Sequence, residues 1–97
     1  MPSLRAITAQ TARYFGLKVA DLKSASRRRA VVVARGVAMY LARQLTGRSL
    51  EQIGEHFGGR DHTTVIHATS KISRLIKEDR TVYNLVQELT ARIKQVH

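Results

Sequence analysis

The sequence predicts an all-α protein of about six helices. Apolar residues recur at intervals of three and four along most of the 97 residues, whereas strand-like alternation never persists for more than a few residues. Helix-breaking residues are few, with a single proline at position 2 and six glycines, so short turns are expected between the helices. Because 43% of the residues are apolar, the chain can bury a core, and a single domain over residues 1–97 is expected.

The first two helices are predicted from an apolar face and a glycine. The first helix is expected to end at Gly16, because glycine readily stops a helix. A short second helix over Lys18–Leu22 is followed by a basic loop, Lys23–Arg29. The apolar face of the first helix comprises Leu4, Ile7, Thr11, Tyr14 and Phe15.

A long third helix is predicted from about Ala30 to Leu45, with Gly47 ending it. Gly36 lies inside this helix, where glycine costs about 1 kcal/mol relative to alanine. Its presence indicates close packing or the close approach of a ligand at that point. The apolar stripe of the helix comprises Val33, Val37, Tyr40, Leu41 and Leu45.

Three further helices complete the chain. Ser49 is followed three residues later by Gln52, a capping-box pattern that predicts a short helix over Leu50–Phe57. After the turn Gly58-Gly59-Arg60, Asp61 is a good N-cap for a helix that reaches about Lys77. The last helix is predicted over about residues 80–95. Its apolar positions comprise Val82, Leu85, Val86, Leu89, Ile93 and Val96.

The charge of the chain narrows the class of partner. Seventeen Lys and Arg residues against seven Asp and Glu give a net charge of +10 and a pI near 11.2. Such a charge on a small folded domain is typical of nucleic-acid binders, although an anionic membrane surface or an acidic protein also fits. With no cysteine there is no disulfide or thiolate metal site, and no apolar run approaches the roughly 20 residues of a membrane span. Between Leu22 and Leu50 the chain carries no acid and these basic residues: Lys23, Arg27, Arg28, Arg29, Arg35, Arg43 and Arg48.

A short helix, a glycine turn and a longer helix over residues 49–77 have the outline of a helix-turn-helix. In that motif the second helix enters the major groove with its N-terminal residues at the base edges. At about 100° per residue, the second helix divides into two faces. The expected inner face comprises Val65, Ala68, Thr69, Ile72, Leu75 and Ile76, and the expected outer face comprises Thr63, His67, Ser70, Lys71 and Arg74. The outer face is polar first and cationic later, an order that suits base edges and then phosphates.

Two other classes of function remain open at this point. A catalytic or metal site would have to use the four histidines at positions 56, 62, 67 and 97 with Asp61. His62 and His67 are five residues apart, about 140° around a helix, which is a poor spacing for one metal ion, so no metal and no catalysis are expected. A protein-interaction module is the stronger rival, with the last helix turned towards a partner. A general DNA or RNA binder is a third reading, differing only in its specificity.

Three segments of the chain are recognisable: Gly-Gly-Arg-Asp-His-Thr-Thr-Val-Ile-His-Ala (58–68), Ala-Met-Tyr-Leu-Ala-Arg-Gln-Leu-Thr-Gly (38–47) and Ser-Leu-Glu-Gln-Ile-Gly (49–54). They resemble the C-terminal DNA-binding domain of the bacterial replication initiator DnaA. The basic loop before the long helix matches as well. The resemblance implies a small helical domain with a Trp-repressor-like helix-turn-helix. It also implies sequence-specific binding of duplex DNA at the DnaA boxes of the replication origin, in support of the initiation and regulation of chromosome replication. A bacterial, cytoplasmic and nucleoid-associated protein is expected.

The resemblance also assigns candidate DNA contacts. Asp61, His62 and Thr63 resemble the residues that read base edges in the major groove, and Arg27 resembles the arginine that enters the adjacent minor groove. Chemistry agrees, since an aspartate can accept from cytosine and a threonine methyl can contact the thymine methyl. The remaining candidates for base or phosphate contacts are Thr64, His67 and Lys71 in the second motif helix, Arg35 and Arg43 in the long helix, and Leu50 and Glu51 at the start of the first motif helix.

The chain departs from the family in two respects. The family usually has Arg-Pro-Arg-Gln at the start of the long helix, where this chain has Val33, Ala34, Arg35 and Gly36. One phosphate or base contact is therefore expected to be missing. The nucleotide-binding sequence Gly-x-x-x-x-Gly-Lys-[Ser/Thr] of the family's AAA+ module does not occur. We therefore expect an excised fragment or a stand-alone relative of the DNA-binding domain. Such a protein is expected to bind no nucleotide cofactor and not to melt the origin. A monomer is compatible with the sequence.

Overall fold

Six helices account for most of residues 2–95, the part of the chain that the computed structural model describes. No strand occurs among those residues, so the all-α prediction of about six helices is confirmed. Val96 and His97, named above as an apolar position and a candidate ligand, lie outside the described residues. The helices are α1 (Leu4–Tyr14), α2 (Val19–Lys23), α3 (Arg29–Leu45), α4 (Leu50–His56), α5 (His62–Glu78) and α6 (Arg80–Gln95).

The ends of the helices follow the local signals in the sequence. At the start of α4, Ser49 Oγ accepts from the backbone N–H of Gln52 at 3.1 Å. The side chain of Gln52 accepts from the N–H of Ser49 at 2.9 Å, so the predicted capping box is formed. Gly16, just after α1, has φ of +67°, a left-handed conformation that glycine adopts without strain.

Helix α3 is the central helix of the fold. It packs against α1, α2, α4 and α5. Its buried face is consequently wider than the predicted stripe, and the extra buried apolar side chains are Val31, Ala34, Ala38, Met39 and Ala42. One core cluster joins α3 to α1, α2, α4 and the start of α5, and a second joins it to α1, α5 and α6. The helix-turn-helix therefore rests on a helix that is fixed from both sides.

Gly36 shows why α3 contains a glycine. A β-carbon at this position would lie 3.3 Å from Cγ1 of Ile72 on α5, closer than most side-chain contacts. Of the two explanations that the sequence left open, the structure shows close packing, here between α3 and α5.

Helix α6 turns its apolar stripe inwards. Val86, Leu89 and Ile93 are buried in the cluster that α6 shares with α1, α3 and α5. The alternative in which this stripe faces a protein partner is therefore wrong, because α1 and α5 already cover it. None of the helices within residues 2–95 has the length and apolar character needed to cross a membrane.

Candidate nucleic-acid interface

The turn between α4 and α5 is fixed by glycines and by backbone hydrogen bonds. The N–H of Arg60 donates to the carbonyl of Gly54 at 2.9 Å. A β-carbon on Gly54 would collide with the carbonyl oxygen of Arg60, so only glycine allows this approach. Gly58 and Gly59 have φ of +90° and +74°, which lets the chain reverse within the turn. The turn thus fixes the direction in which α5 leaves α4.

Helix α5 has the two faces that its sequence predicts. Val65, Thr69 and Ile72 are buried against α3 and α4, and the three other predicted inner residues are half-buried. All the predicted outer residues are exposed: Thr63, His67, Ser70, Lys71 and Arg74. A continuous polar and cationic face is therefore free along α5.

Asp61 occupies the N-cap position of α5, with φ of −64° and ψ of 149°, as predicted. Its side chain, however, makes no capping hydrogen bond. Instead Oδ1 lies 3.1 Å from Nδ1 of His62, and both side chains are well exposed. The carboxylate therefore keeps lone pairs directed to solvent, where a base could donate to them.

The pKa of Asp61 reflects these neighbours. Desolvation acts to raise the pKa, but hydrogen bonding from Thr63 and the proximity of His62 outweigh it, so the pKa lies below its usual value. The carboxylate is thus ionised at neutral pH. The ionised carboxylate offers acceptor oxygens to a base edge.

The exposed start of α5 brings together most of the predicted base-reading residues. His62, Thr63, Thr64 and His67 are exposed within its first two turns. Ile66, which the sequence analysis did not single out, is 40% exposed in the same region. The sequence does indicate this position, because Ile66 follows His62 and Thr63 at the spacings of four and three residues that put residues on one helix face. An exposed branched alkyl group here can contact a thymine methyl.

Cationic residues of α3 and α5 line an open groove of about 370 Å³. Arg43 lies on the α3 side, and Arg74 and Lys77 lie on the α5 side. Lys77 was predicted only as the end of the helix, not as part of this surface. Nε of Arg74 is 4.0 Å from Glu78, but both side chains are exposed and such a pair contributes little. The other groove residues are Tyr40, Gln44, Thr69, Ser70 and Ser73. The groove is therefore suited to phosphate groups.

Arg27 and Arg28, in the loop before α3, and Arg29, the first residue of α3, are all exposed. The backbone of the loop is ordered by serine side chains. Oγ of Ser24 accepts from the N–H of Ser26 at 3.2 Å, and Oγ of Ser26 accepts from the N–H of Arg28 at 3.2 Å. The loop thus presents Arg27 from a defined backbone.

The Arg35 guanidinium does not lie on the surface, where it could contact a phosphate. Its side chain is buried, with only 8% exposed, and it donates to carbonyls of the preceding segment. Nε donates to Leu22 at 2.9 Å, and Nη2 donates to Ser24 and Ser26 at 2.9 and 3.1 Å. Burial, and secondarily the positive charge of Arg60, lowers the pKa of Arg35. The structure therefore argues against the predicted direct contact, because the guanidinium is committed to holding the loop.

Leu50 and Glu51 lie in the first turn of α4, where Leu50 is half-buried and Glu51 is exposed. Ser49 and Gln52 cap each other. The base or phosphate contact expected at Leu50 and Glu51 stays a prediction. At the departure from the family pattern, Val33 and Gly36 line a small apolar cavity of about 60 Å³ with Ile72. That region of α3 offers no charge to DNA.

The possible metal-ligating residues of the described region are dispersed. No three His, Cys, Asp or Glu side chains of residues 2–95 lie close enough together to hold a metal ion. His56 is separated from the α5 histidines, since its Nε2 contacts Oγ1 of Thr8 on α1 at 2.8 Å.

Comparison with known proteins gives a consistent family. Residues 4–72 match the family model described as the bacterial dnaA protein helix-turn-helix. The chain is 59% identical over 91 residues to the chromosomal replication initiator protein DnaA of Leifsonia xyli subsp. xyli. It is 57% identical over 91 residues to the protein of the same name from Clavibacter sepedonicus. In both comparisons the match covers 94% of this chain and 19% of the relative, so the chain spans about a fifth of their length.

A solved structure supports the same comparison. A crystal structure of a DNA replication initiation factor superposes with a TM-score of 0.82 and 36% sequence identity. The match covers 93% of this chain and 27% of that chain. At this identity the likeness is one of sequence as well as of helical architecture.

Proposed function

The chain belongs to the bacterial DnaA helix-turn-helix family, and from that membership we propose that it binds DnaA-box sequences of duplex DNA at the replication origin. In this role it supports the initiation and regulation of chromosome replication. The observation that carries the proposal is the outer face of α5, which starts with short hydrogen-bonding side chains and continues with cations. A merely solvated helix face has no need of this order.

Base recognition is assigned to the start of α5. The Asp61 carboxylate, ionised and free of a capping bond, accepts from the exocyclic amine of cytosine or adenine. His62 and Thr63 lie beside it and supply a ring nitrogen, a hydroxyl and a methyl group. Thr64, His67 and Ile66 extend the surface to neighbouring bases or to the sugar-phosphate backbone. A helix that inserts its N-terminal end into the major groove would present all of these groups.

Phosphate contacts are assigned to cations farther along α5 and across the groove. Lys71 is exposed on the outer face, and Arg43, Arg74 and Lys77 line the groove between α3 and α5. These side chains position the duplex and carry no sequence information by themselves. If about six phosphates are neutralised, log K falls with log[salt] with a slope of about −5.

A minor-groove contact is assigned to Arg27. The arginine is exposed in a loop whose carbonyls are bonded to the rest of the fold. A guanidinium on such a loop is suited to a narrow, A·T-rich minor groove, where the negative potential is enhanced. Recognition would then combine base edges with groove shape.

The proposal needs no metal, nucleotide or catalytic residue from this chain. DNA binding by α5 and the basic loop uses only side chains and backbone groups described above.

We further infer that a monomer occupies one box and that the protein acts in the bacterial cytoplasm, on the nucleoid. Sedimentation of the complex with a single-box duplex tests the stoichiometry.

Fluorescence anisotropy tests the proposed function. The titration compares a DnaA-box duplex with a base-shuffled duplex of equal composition, at several salt concentrations. We expect a preference of at least about a hundredfold for the box that persists at physiological salt. Equal and salt-sensitive binding to both duplexes would instead identify a general nucleic-acid binder.

A further inference from the structure

The carbonyl oxygen of Ser24 is held by two arginines from different parts of the fold. Nη2 of Arg35, on α3, donates to it at 2.9 Å. Nη2 of Arg60, in the turn before α5, donates to it at 2.6 Å. The basic loop is thereby bonded to the central helix on one side and to the helix-turn-helix on the other.

Arg60 connects the two elements directly. While Nη2 donates to Ser24 in the loop, Nη1 donates to the carbonyl of Phe57, at the end of α4. Arg60 also immediately precedes Asp61, the first of the base-reading residues, and Ser24 lies three residues before Arg27. The Arg60 side chain therefore links the backbone just before Arg27 to the backbone just before α5.

A glycine gives a second, independent sign that the loop and the turn are fitted together. Gly58 has φ of +90°, and a β-carbon there would collide with the carbonyl oxygen of Lys23. The backbone of the loop thus lies directly against the backbone of the turn. The segment at Lys23 and the turn at Gly58 therefore pack in direct backbone contact, which fixes the distance between them.

The arrangement is electrostatically unusual. Arg60 lies near enough to Arg35 that its positive charge, after burial, helps to lower the pKa of Arg35. Among residues 2–95 neither arginine forms an ion pair with a carboxylate. Their charges are instead satisfied by carbonyl oxygens of the loop and of the turn. The guanidinium fork suits this task, because it donates in two directions from one plane.

We propose that Arg60 is a positioning residue that fixes Arg27 relative to the start of α5, so that the minor-groove and major-groove contacts are made together. The inference rests on the proposed function. Arg60 acts through the carbonyl of Ser24 and does not itself read DNA. Loss of the link leaves both contacting elements present but independently mobile.

The first test follows the loop in the absence of DNA. The chain contains no cysteine, so a nitroxide on Ala25→Cys labels only this exposed loop position. In Arg60→Lys the charge stays, but the side chain loses the two separate nitrogens that donate to the carbonyls of Phe57 and Ser24. We expect a more mobile spectrum in Arg60→Lys, and no change for a label on Asn84→Cys of α6. Unchanged loop spectra would overturn the inference. Arg13→Lys, an exposed arginine on α1, is the matched control.

The second test is a double-mutant cycle on DNA. Arg27→Ala is measured in the parent chain and in Arg60→Lys, with box and shuffled duplexes. We expect Arg27→Ala to weaken box binding by about tenfold in the parent and by less than about twofold in Arg60→Lys. An equal penalty in both backgrounds would show that Arg60 is only structural or contacts phosphate itself. Circular dichroism verifies folding, and Arg60→Gln is read by the same cycle if Arg60→Lys does not fold.

The outcomes separate the inference from the proposed function. A parent chain that does not distinguish the two duplexes contradicts the proposed function, and the inference falls with it. A parent chain that prefers the box, combined with an equal Arg27→Ala penalty in both backgrounds, contradicts the inference alone.

Discussion

Oγ1 of Thr8 and Nε2 of His56 lie 2.8 Å apart and join α1 to α4. Because the hydroxyl donates to the carbonyl of Leu4 at 2.7 Å, it accepts from the imidazole, which must carry its proton on Nε2. Burial, and secondarily the charge of Lys23, lowers the pKa of His56. Arg5 and Arg48 line the same cavity as Lys23, so every charged neighbour there is positive.

The burial of His56 and the positive charge of Lys23 make stability depend on pH. A lowered folded-state pKa means that, as pH falls below about 6.5, the unfolded state binds a proton before the folded state does. The free energy of unfolding should therefore be highest above that pH and should fall as the solution becomes more acidic. Urea unfolding at neutral and mildly acidic pH measures the change. The change should be smaller in His56→Gln, which can still donate to Thr8; an equal loss in both proteins would assign the effect to other groups.

Gly54 is expected to be the least replaceable residue of the turn. Gly54→Ala should destabilise the protein by about 2 kcal/mol or more, because the new methyl meets the carbonyl of Arg60 and the turn must open. Gly47→Ala is the matched control, since no atom lies within 4 Å of the β-carbon it adds. The control should be neutral or slightly stabilising. Chemical denaturation of the two variants measures the difference, and equal effects would show that the turn can adapt.

The cationic groove should position DNA without reading it. Arg43→Gln and Arg74→Gln should each weaken binding to box and shuffled duplexes alike, and make the salt slope shallower by about 1. Lys94→Gln removes one charge from an exposed position on α6 and should leave both quantities nearly unchanged. Anisotropy titrations over a range of salt concentrations measure the slopes. If Arg43→Gln alters the preference between the two duplexes, the groove takes part in recognition.

The sequence predicted the elements of this fold well because burial imposes a helical period on apolar residues. The division of α5 into a face with Val65 and Ile72 and a face with Thr63 and Lys71 is confirmed for that reason. The role of Arg35 could not be predicted in this way. Its guanidinium is directed to carbonyls 9–13 residues earlier in the chain, and the position of a backbone oxygen leaves no mark in composition or periodicity.

Local rules also left the side chain of Asp61 undetermined. Its place before α5 made it an N-cap, and the backbone agrees, but the carboxylate turns to His62 instead of to the helix. Two local partners compete for the same oxygen, and the sequence does not rank them. Arg60 was read only as part of a turn, because its link to Ser24 spans 36 residues.

The most direct test of the account compares His62→Ala with Lys71→Gln on box and shuffled duplexes. Both residues are exposed on α5, but one lies at the base-reading end and the other farther along the cationic face. His62→Ala should lose about 1–3 kcal/mol on the box alone and flatten the preference, with the salt slope unchanged. Lys71→Gln should weaken both duplexes equally and make the slope shallower by about 1. If the two variants behave identically, α5 is not divided into reading and positioning residues.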